Sequence, residues 1–239
     1  MEERIPLAAL IALALVYLSA PPAQCADSAG AQTPVTWFSP TPLTEATTVL
    51  VLDASQAQPG QLEIADVLSY SGGLIEITPP QGWTLIRDNS SLSTRQALYW
   101  HIVQVNEDRS PTWLFNEPVN AQGAILLVED VNATDPIDVS SGNVVAGPAT
   151  ATSVTTTTDG DFILAFFATD FETAGLSPKM PADLNVIVDP DQPSHEYWIL
   201  GAYQNSKGAT EDAACCCPQY FNYAAAQVAL RMSSTTDAR

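Results

Sequence analysis

Apolar and β-branched residues recur in short runs along the chain, and the most informative pair of runs lies between Ile75 and Val105. The first run starts near Trp83, the second spans Gln96 to Val105, and the polar segment Asp88 to Arg95 separates them. That segment has the composition of a loop between strands. In the second run apolar residues occupy both parities, so we predict a strand covered on both faces, as in a sandwich whose outer face also packs against the chain.

Similar runs follow one another at the spacing of about 8–12 residues that is typical of sandwiches and barrels, and no long segment has a helical period. These runs are Val35–Phe38, Thr47–Asp53, Leu62–Tyr70, Thr112–Phe115, Ala121–Val128, Ala151–Thr158, Phe162–Ala168, Glu196–Gln204 and Ala224–Arg231. We therefore predict a single all-β domain, an antiparallel β-sandwich, over residues 35–232. A flexible lead, residues 27–34, precedes it, and a disordered tail, residues 233–239, follows it.

The first 26 residues are typical of a signal peptide. An apolar run, Leu7 to Ala20, ends at Pro21-Pro22 and is shorter than the roughly 20 residues of a membrane-spanning helix. Ala23-Gln24-Cys25 places small residues at the two positions that a signal peptidase reads. A lipid anchor on Cys25 is the alternative, although Gln24 occupies a position where lipoproteins carry a small residue. The prediction is an exported protein, extracellular or at the cell surface, with no membrane span.

The charge is strongly negative, because 8 Lys and Arg face 27 Asp and Glu, which gives −19. Such a surface repels nucleic acid and anionic lipid, so neither is an expected partner. The chain lacks the common hydrolase, metalloprotease, phosphate-loop and dinucleotide-binding motifs. With so many carboxylates, a glycosidase-type pair carries no information. We predict that the protein is not an enzyme.

The two histidines do not change this prediction. His101 falls inside a predicted strand and is interpreted as a satisfied, half-buried side chain. His195 precedes Glu196, which points to the opposite face of any strand.

Six segments occur in an order that resembles a known kind of domain. They are PGQLEIADV (59–67), ITPPQGWTLIR (77–87), QALYWHIV (96–103), AQGAILLVEDVNATDPIDVSSG (121–142), SVTTTTDGDFILAFFAT (153–169) and AAAQVALR (224–231). Together they resemble a bacterial β-sandwich domain of secreted, surface-attached and phage-tail-associated proteins, most of them uncharacterised. The resemblance covers roughly Phe38 to Arg231 and implies a jelly-roll-like architecture rather than a chemistry. This chain departs from the pattern in being one acidic domain with its own signal, and in a run of cysteines.

That run is Cys215-Cys216-Cys217. In an oxidising compartment three cysteines cannot all pair within one domain, and Cys25 leaves with the signal peptide. One hypothesis is a disulfide between subunits or to a partner; the other is a local pair plus one buried thiol. A zinc site would need four separated ligands, and the chain offers only His101 and His195 besides these cysteines.

Asp-rich and Asn-containing loops offer further candidate sites. Calcium is a possible cofactor, because two pairs of carboxylates could bind it, although both pairs are also typical of ordinary turns. The pairs are Asp159 with Asp161 and Asp189 with Asp191. Asn89 and Asn132 each begin a glycosylation sequon that is expected to lie in a loop.

Carbohydrate binding would require exposed aromatic rings. Trp83, Trp113 and Phe115 are assigned to the core by parity and position. The remaining candidate glycan contacts are Trp100, Trp198, Tyr220 and Tyr223.

These observations favour an exported, non-enzymatic structural or adhesive surface protein that associates with itself or with another surface protein. In one version it is a filament or surface-layer subunit, and Val35–Phe38 completes the open sheet edge of a neighbour. The alternatives are a carbohydrate-binding module and, third, an enzyme acting on glycosides.

Overall fold

The computed structural model describes residues 33–70, 75–90, 94–146, 150–169, 178–179, 185–188, 197–215 and 222–233. The predicted signal peptide and most of the predicted lead and tail lie outside these residues. Within them the chain forms strands and loops, and no helix long and apolar enough to cross a membrane is found there. The strands are β1 (Val35–Val51), β2 (Leu62–Ser69), β3 (Ile77–Thr78), β4 (Thr84–Ser90), β5 (Arg95–Ile102), β6 (Thr112–Val128), β7 (Ile137–Ala146), β8 (Thr150–Ala151), β9 (Asp161–Thr169), β10 (Pro178–Lys179), β11 (Asn185–Val188), β12 (Tyr197–Gln204), β13 (Ala213–Cys215) and β14 (Asn222–Leu230).

Two large antiparallel sheets and one small sheet contain these strands. The first sheet has the order β1-β6-β2-β5-β4, and the short β3 also pairs with β6. The second has the order β11-β12-β9-β14-β7, and the small sheet has the order β10-β13-β8. The predicted all-β, antiparallel sandwich class is therefore confirmed.

The sandwich core lies between the two large sheets, because alternate residues of each strand point to the same face. One parity of β2, β5 and β6 packs against one parity of β9 and β14. The largest buried side chains of this core are Leu62, Ile64, Leu98, Leu126, Val128, Phe162, Leu164, Phe166, Val228 and Leu230.

A second core covers the outer face of the first sheet. The opposite parity of β2 and β5, including Val67 and Tyr99, packs beneath Trp83, Trp113 and Phe115. The rings of Trp83 and Trp113 meet edge to face, with centroids 4.9 Å apart. Burial on both faces, predicted for the strand after Gln96, is confirmed, and so is the assignment of these three aromatic residues to the core.

The outer face of the second sheet is also buried. Phe167 and Leu200 pack there with Tyr223 against Ala151 of β8 and Ala213 of β13. The small third sheet therefore acts as a cover, and the protein has apolar packing on both outer faces of its sandwich.

The predicted strand boundaries differ from the structure in two instructive ways. Val35–Phe38 and Thr47–Asp53 were expected to be separate, but β1 runs through to Val51, with register shifts that mark bulges. The intervening prolines do not end this strand because it lies at a sheet edge, where proline is tolerated. Likewise Asp88–Ser90 and Arg95, which were expected in a loop, belong to β4 and β5.

The predicted strand Ala151–Thr158 is wrong beyond its first residue. Only Thr150–Ala151 is a strand there, and Thr155 forms an isolated bridge with Ala209. Threonine composition favoured a strand, but neighbouring backbone and hydroxyl groups bind this segment instead, as when the Thr210 hydroxyl accepts from the Val154 N–H at 2.9 Å.

Candidate functional site

A buried polar network crosses the sandwich interior from Asp66 on β2. One Asp66 carboxylate oxygen accepts a hydrogen bond from Gln96 Nε2 at 2.9 Å, and the other has no partner among the described residues. Gln96 Oε1 in turn accepts from Asn89 Nδ2 at 3.4 Å, and Asn89 Oδ1 accepts from Arg87 Nε at 2.6 Å. Burial raises the pKa of Asp66 to about 7, against the opposing effect of the Gln96 hydrogen bond.

Arg87 carries this network across to the second sheet. Its Nη2 donates to the carbonyl oxygen of Gly142 at 2.8 Å, and its Nη1 donates to that of Ser140 at 3.5 Å. Both acceptors lie on β7, the edge strand next to β4, so the guanidinium closes one side of the sandwich. Asn89 was expected in a loop; instead it is buried in β4, and glycan attachment would break its hydrogen bond to Gln96.

A second polar cluster surrounds His101 on the outer face of the first sheet. Nδ1 lies 3.1 Å from the Gly82 carbonyl oxygen, and Nε2 lies 2.9 Å from Glu107 Oε2. The ring also stacks on Trp83 with centroids 5.4 Å apart. A carbonyl and a carboxylate both accept hydrogen bonds, so each ring nitrogen has an acceptor within hydrogen-bond distance. His101 therefore has hydrogen-bond partners, as expected, but it is buried rather than half-buried.

Two glutamates beside His101 have pKa values shifted in opposite directions, although His101 lowers both. Glu63 lies directly opposite His101 in the β2–β5 register, and burial raises its pKa to about 7 although the histidine acts against this. Burial alone would raise the pKa of Glu107, but hydrogen bonds from the Gln104 N–H and from His101 bring it below its ordinary value. Glu63 can therefore hold a proton near neutral pH, but the cluster lies beneath the aromatic side chains Trp83 and Trp113.

A third cluster pairs two carboxyl groups at one end of the second sheet. Asp138 accepts hydrogen bonds from Arg231 Nη2 at 2.6 Å and from the Thr157 hydroxyl, and the neighbouring Asp161 accepts one from the Thr158 hydroxyl. Burial raises the pKa of Asp161 to about 6; that of Asp138 is lowered, because the hydrogen bonds outweigh its burial. Of the two groups, Asp161 is therefore the one that takes up a proton first as the pH falls.

This order of protonation predicts different effects of two similar substitutions at pH 4.5, where Asp161 is protonated and Asp138 is charged. Asp138→Asn removes the anion that faces Arg231 and is expected to lower the free energy of unfolding by about 1–3 kcal/mol. Asp161→Asn replaces a carboxyl group that is uncharged at this pH by an uncharged amide whose oxygen can still accept from the Thr158 hydroxyl, so its effect is expected to be near zero. Urea denaturation of both variants measures the difference, and equal destabilisation would contradict this order of protonation.

The candidate calcium ligands do not converge where the structure describes them. Asp159 is exposed and accepts the Lys207 N–H at 2.7 Å, whereas Asp161 is buried beside Asp138. Asp189 and Asp191 lie outside the described residues. Within those residues, no group of three or more His, Cys, Asp or Glu side chains is placed to hold a metal ion.

The glycan and disulfide candidates are only partly described. Trp100 is half-buried against the sandwich core, and Tyr223 is buried in the outer core. Tyr220, Cys216 and Cys217 lie outside the described residues, as do the side chains of Trp198 and Cys215; the backbone of Cys215 ends β13. Asn132 is exposed in a loop, as expected, and its Oδ1 accepts from the Thr134 N–H at 3.0 Å.

The most accessible candidate site is the free edge of β1. This strand of 17 residues lies at the end of the first sheet and pairs with β6 alone in the described part of the chain. Its segment Thr47–Val51 contains neither charge nor proline. Val49 and Val51 are 43% and 49% exposed, and Leu114 of β6, which lies opposite Val49, is 48% exposed.

The hydrogen bonds of this segment show which groups face outward. The Leu52 N–H donates to the Pro111 carbonyl oxygen at 3.0 Å, on the β6 side, so the backbone groups of Val49 and Val51 alternate to the open side. The Thr47 hydroxyl accepts from the Val49 N–H at 3.0 Å and donates to the Val49 carbonyl oxygen at 2.7 Å. The β-branched composition predicted a strand here, but no sequence signal identified it as an edge.

No protein-family profile, curated protein or solved structure matches this chain.

Proposed function

We propose that this chain is an exported, non-enzymatic structural or adhesive surface protein that associates with itself. The observation that carries the proposal is the long edge strand β1, whose segment Thr47–Val51 presents outward backbone groups and exposed valines without charge or proline. A free sheet edge of this kind is a template for pairing with another strand. The export signal and the resemblance to surface-attached domains agree with this role.

The contact lies at the C-terminal end of β1 rather than at its start. Val35–Phe38, the segment first considered for completing a neighbour's sheet, is paired within its own sheet, with Val35 opposite Val128 and Phe38 opposite Leu126. Phe38 also packs against the sandwich core. These residues are therefore used in the protein's own fold.

The acidic charge supports an association that depends on salt. At −19, two copies repel each other over distances comparable to the Debye length of about 10 Å at 0.1 M salt. Contact through an uncharged segment reduces that repulsion at short range but does not abolish it.

Sedimentation velocity of the exported protein tests the proposal. Association is expected to increase with protein concentration and to strengthen as sodium chloride is raised from 20 mM to 500 mM, because salt screens the repulsion. A single monomeric species at every concentration and salt level would contradict it. Electrophoresis with and without reductant adds the role of Cys215–Cys217: a covalent dimer that reductant dissolves indicates a bridge between subunits, and identical patterns indicate non-covalent contact.

Carbohydrate binding receives no comparable support from the described rings. Trp100 is half-buried and Tyr223 is buried, so neither offers an open face on which a sugar could stack.

A further inference from the structure

We propose that the partner at this edge is a second copy of the same segment, paired antiparallel about a two-fold axis at Leu50, and that the Thr47 hydroxyl masks the edge in the monomer. This inference deepens the proposed function and rests on it. It assigns the contact to Thr47–Val51, with Val49 of one copy opposite Val51 of the other.

The hydrogen-bonding pattern permits this pairing. Val49 and Val51 both direct their backbone groups to the open side, as the two members of a hydrogen-bonded antiparallel pair must. A two-fold axis at Leu50 creates two such pairs, each with Val49 facing Val51. Leu50 itself stays buried in the core on the outer face of the first sheet, so the new contact leaves that core intact.

Charge selects this register over its neighbours. With the axis at Leu50, the pairs lie within the segment Thr47–Val51 of both copies, which carries no charge, and the flanking acids Glu45 and Asp53 lie outside it. Moving the axis toward Val49 would bring Glu45 of each copy nearer to Asp53 of the other, and like charges close together across a sheet destabilise it.

The exposed side chains also become continuous in this register. Leu114 already lies opposite Val49 on the exposed face of this part of the first sheet, which is the face opposite to that on which Leu50 and Trp113 are buried. Placing Val51 of the second copy on the other side of Val49 extends a row of apolar cross-strand neighbours, and the two-fold axis repeats it. Such neighbours are the unit of side-chain stabilisation in a sheet.

The Thr47 side chain opposes this association. Its hydroxyl occupies both outward backbone groups of Val49, and pairing with a second copy must first displace it. The side chain thus protects the edge in the way that local side-chain hydrogen bonds compete with sheet ladders.

Three variants of the full exported chain test the inference by sedimentation velocity. Val51→Lys places a charge on the free edge and is expected to weaken association about tenfold or more. Leu85→Lys, at a leucine that is 50% exposed on the opposite edge strand β4, makes the same change in net charge and is expected to match the wild type. Thr47→Val keeps the β-branched shape, removes the mask, and is expected to strengthen association about tenfold.

The outcomes separate this inference from the proposed function. If the wild type associates and Val51→Lys associates equally well, or both lysine variants weaken it equally, the edge assignment is overturned while self-association stands. If the wild type is monomeric and Thr47→Val associates, the masked edge is supported and the native assembly is not. If both stay monomeric, both proposals fail. Unchanged thermal unfolding of each variant verifies that the fold is retained.

Discussion

Replacing Asp66 by Asn is expected to raise the free energy of unfolding at pH 8 by up to about 4 kcal/mol. Burial raises the pKa of Asp66 from 3.8 to about 7, and each pKa unit corresponds to roughly 1.4 kcal/mol. At this pH the wild-type fold must hold a carboxylate in the apolar interior, with one oxygen unpartnered among the described residues. Asparagine carries no charge there, and its amide oxygen can accept the same hydrogen bond from Gln96. The two N–H groups of the new amide lack acceptors, among the residues that the structure describes, in the place of the former carboxylate oxygen, so the gain of about 4 kcal/mol is an upper bound.

The pH dependence follows from the same pKa. Because the folded value lies above the unfolded one, the stability associated with protonated Asp66 is fully present below about pH 4 and is lost as the pH rises to about 7. Glu63 and Asp161, whose pKa values are raised to about 7 and about 6, act in the same direction. Asp138 and Glu107 have lowered values and act oppositely, so stability is expected to fall again in stronger acid.

Urea denaturation at pH 4.5 and pH 8 measures both effects. The wild type is expected to be more stable at pH 4.5 than at pH 8. Asp66→Asn should lose the part of this pH dependence of stability that is due to Asp66 and retain the part that Glu63 and Asp161 contribute. Glu117→Gln, which removes one negative charge at an exposed position on β6, serves as the matched control and should behave as the wild type. If Asp66→Asn kept the full wild-type slope, Asp66 would not be the group responsible.

The strands were predictable where burial alternates or runs unbroken, and the buried acids were not. The run LEIADVLS reads as a strand, and every residue of β2 is indeed buried. Glu63 and Asp66 have opposite parities, so Asp66 faces the sandwich interior and Glu63 faces the outer core. A sequence does not reveal that both faces of the strand are covered, and the raised pKa values are a consequence of that burial.

Two other parts of the fold had no clear signal in the sequence. β7 contains Ser140, Ser141 and Gly142, which resemble loop residues, yet they form a strand because β14 pairs with them along its whole length. The edge position of β1 depends on the order of strands in the sheet, and local composition carries no information about that order. The sequence therefore predicts that Thr47–Val51 is a strand, but only the structure shows that this strand lies at a sheet edge.

Gly142→Ala is expected to lower the free energy of unfolding by about 3 kcal/mol, the upper part of the range for overpacking a close contact. A Cβ atom at this position would lie 2.6 Å from Asn89 Nδ2, 2.7 Å from the Ala225 carbonyl oxygen and 2.9 Å from Arg87 Nε. Since the Ala225 contact is backbone, β7 must move relative to β14 or β4. Either movement disturbs the guanidinium that joins the two sheets.

Gly160→Ala provides the comparison that separates crowding from backbone strain. Gly160 has φ of +80°, but nothing lies within 4 Å of an added Cβ, so only the conformational cost of about 1 kcal/mol is expected. A cost for Gly142→Ala no larger than this would contradict the close β4–β7 contact. Truncating Asn89 to Ala removes the nearest of the crowding atoms, so the cost of Gly142→Ala should fall in that background, a coupling that a double-mutant cycle in urea measures. The backbone contact to Ala225 remains, and the cost should therefore fall without vanishing.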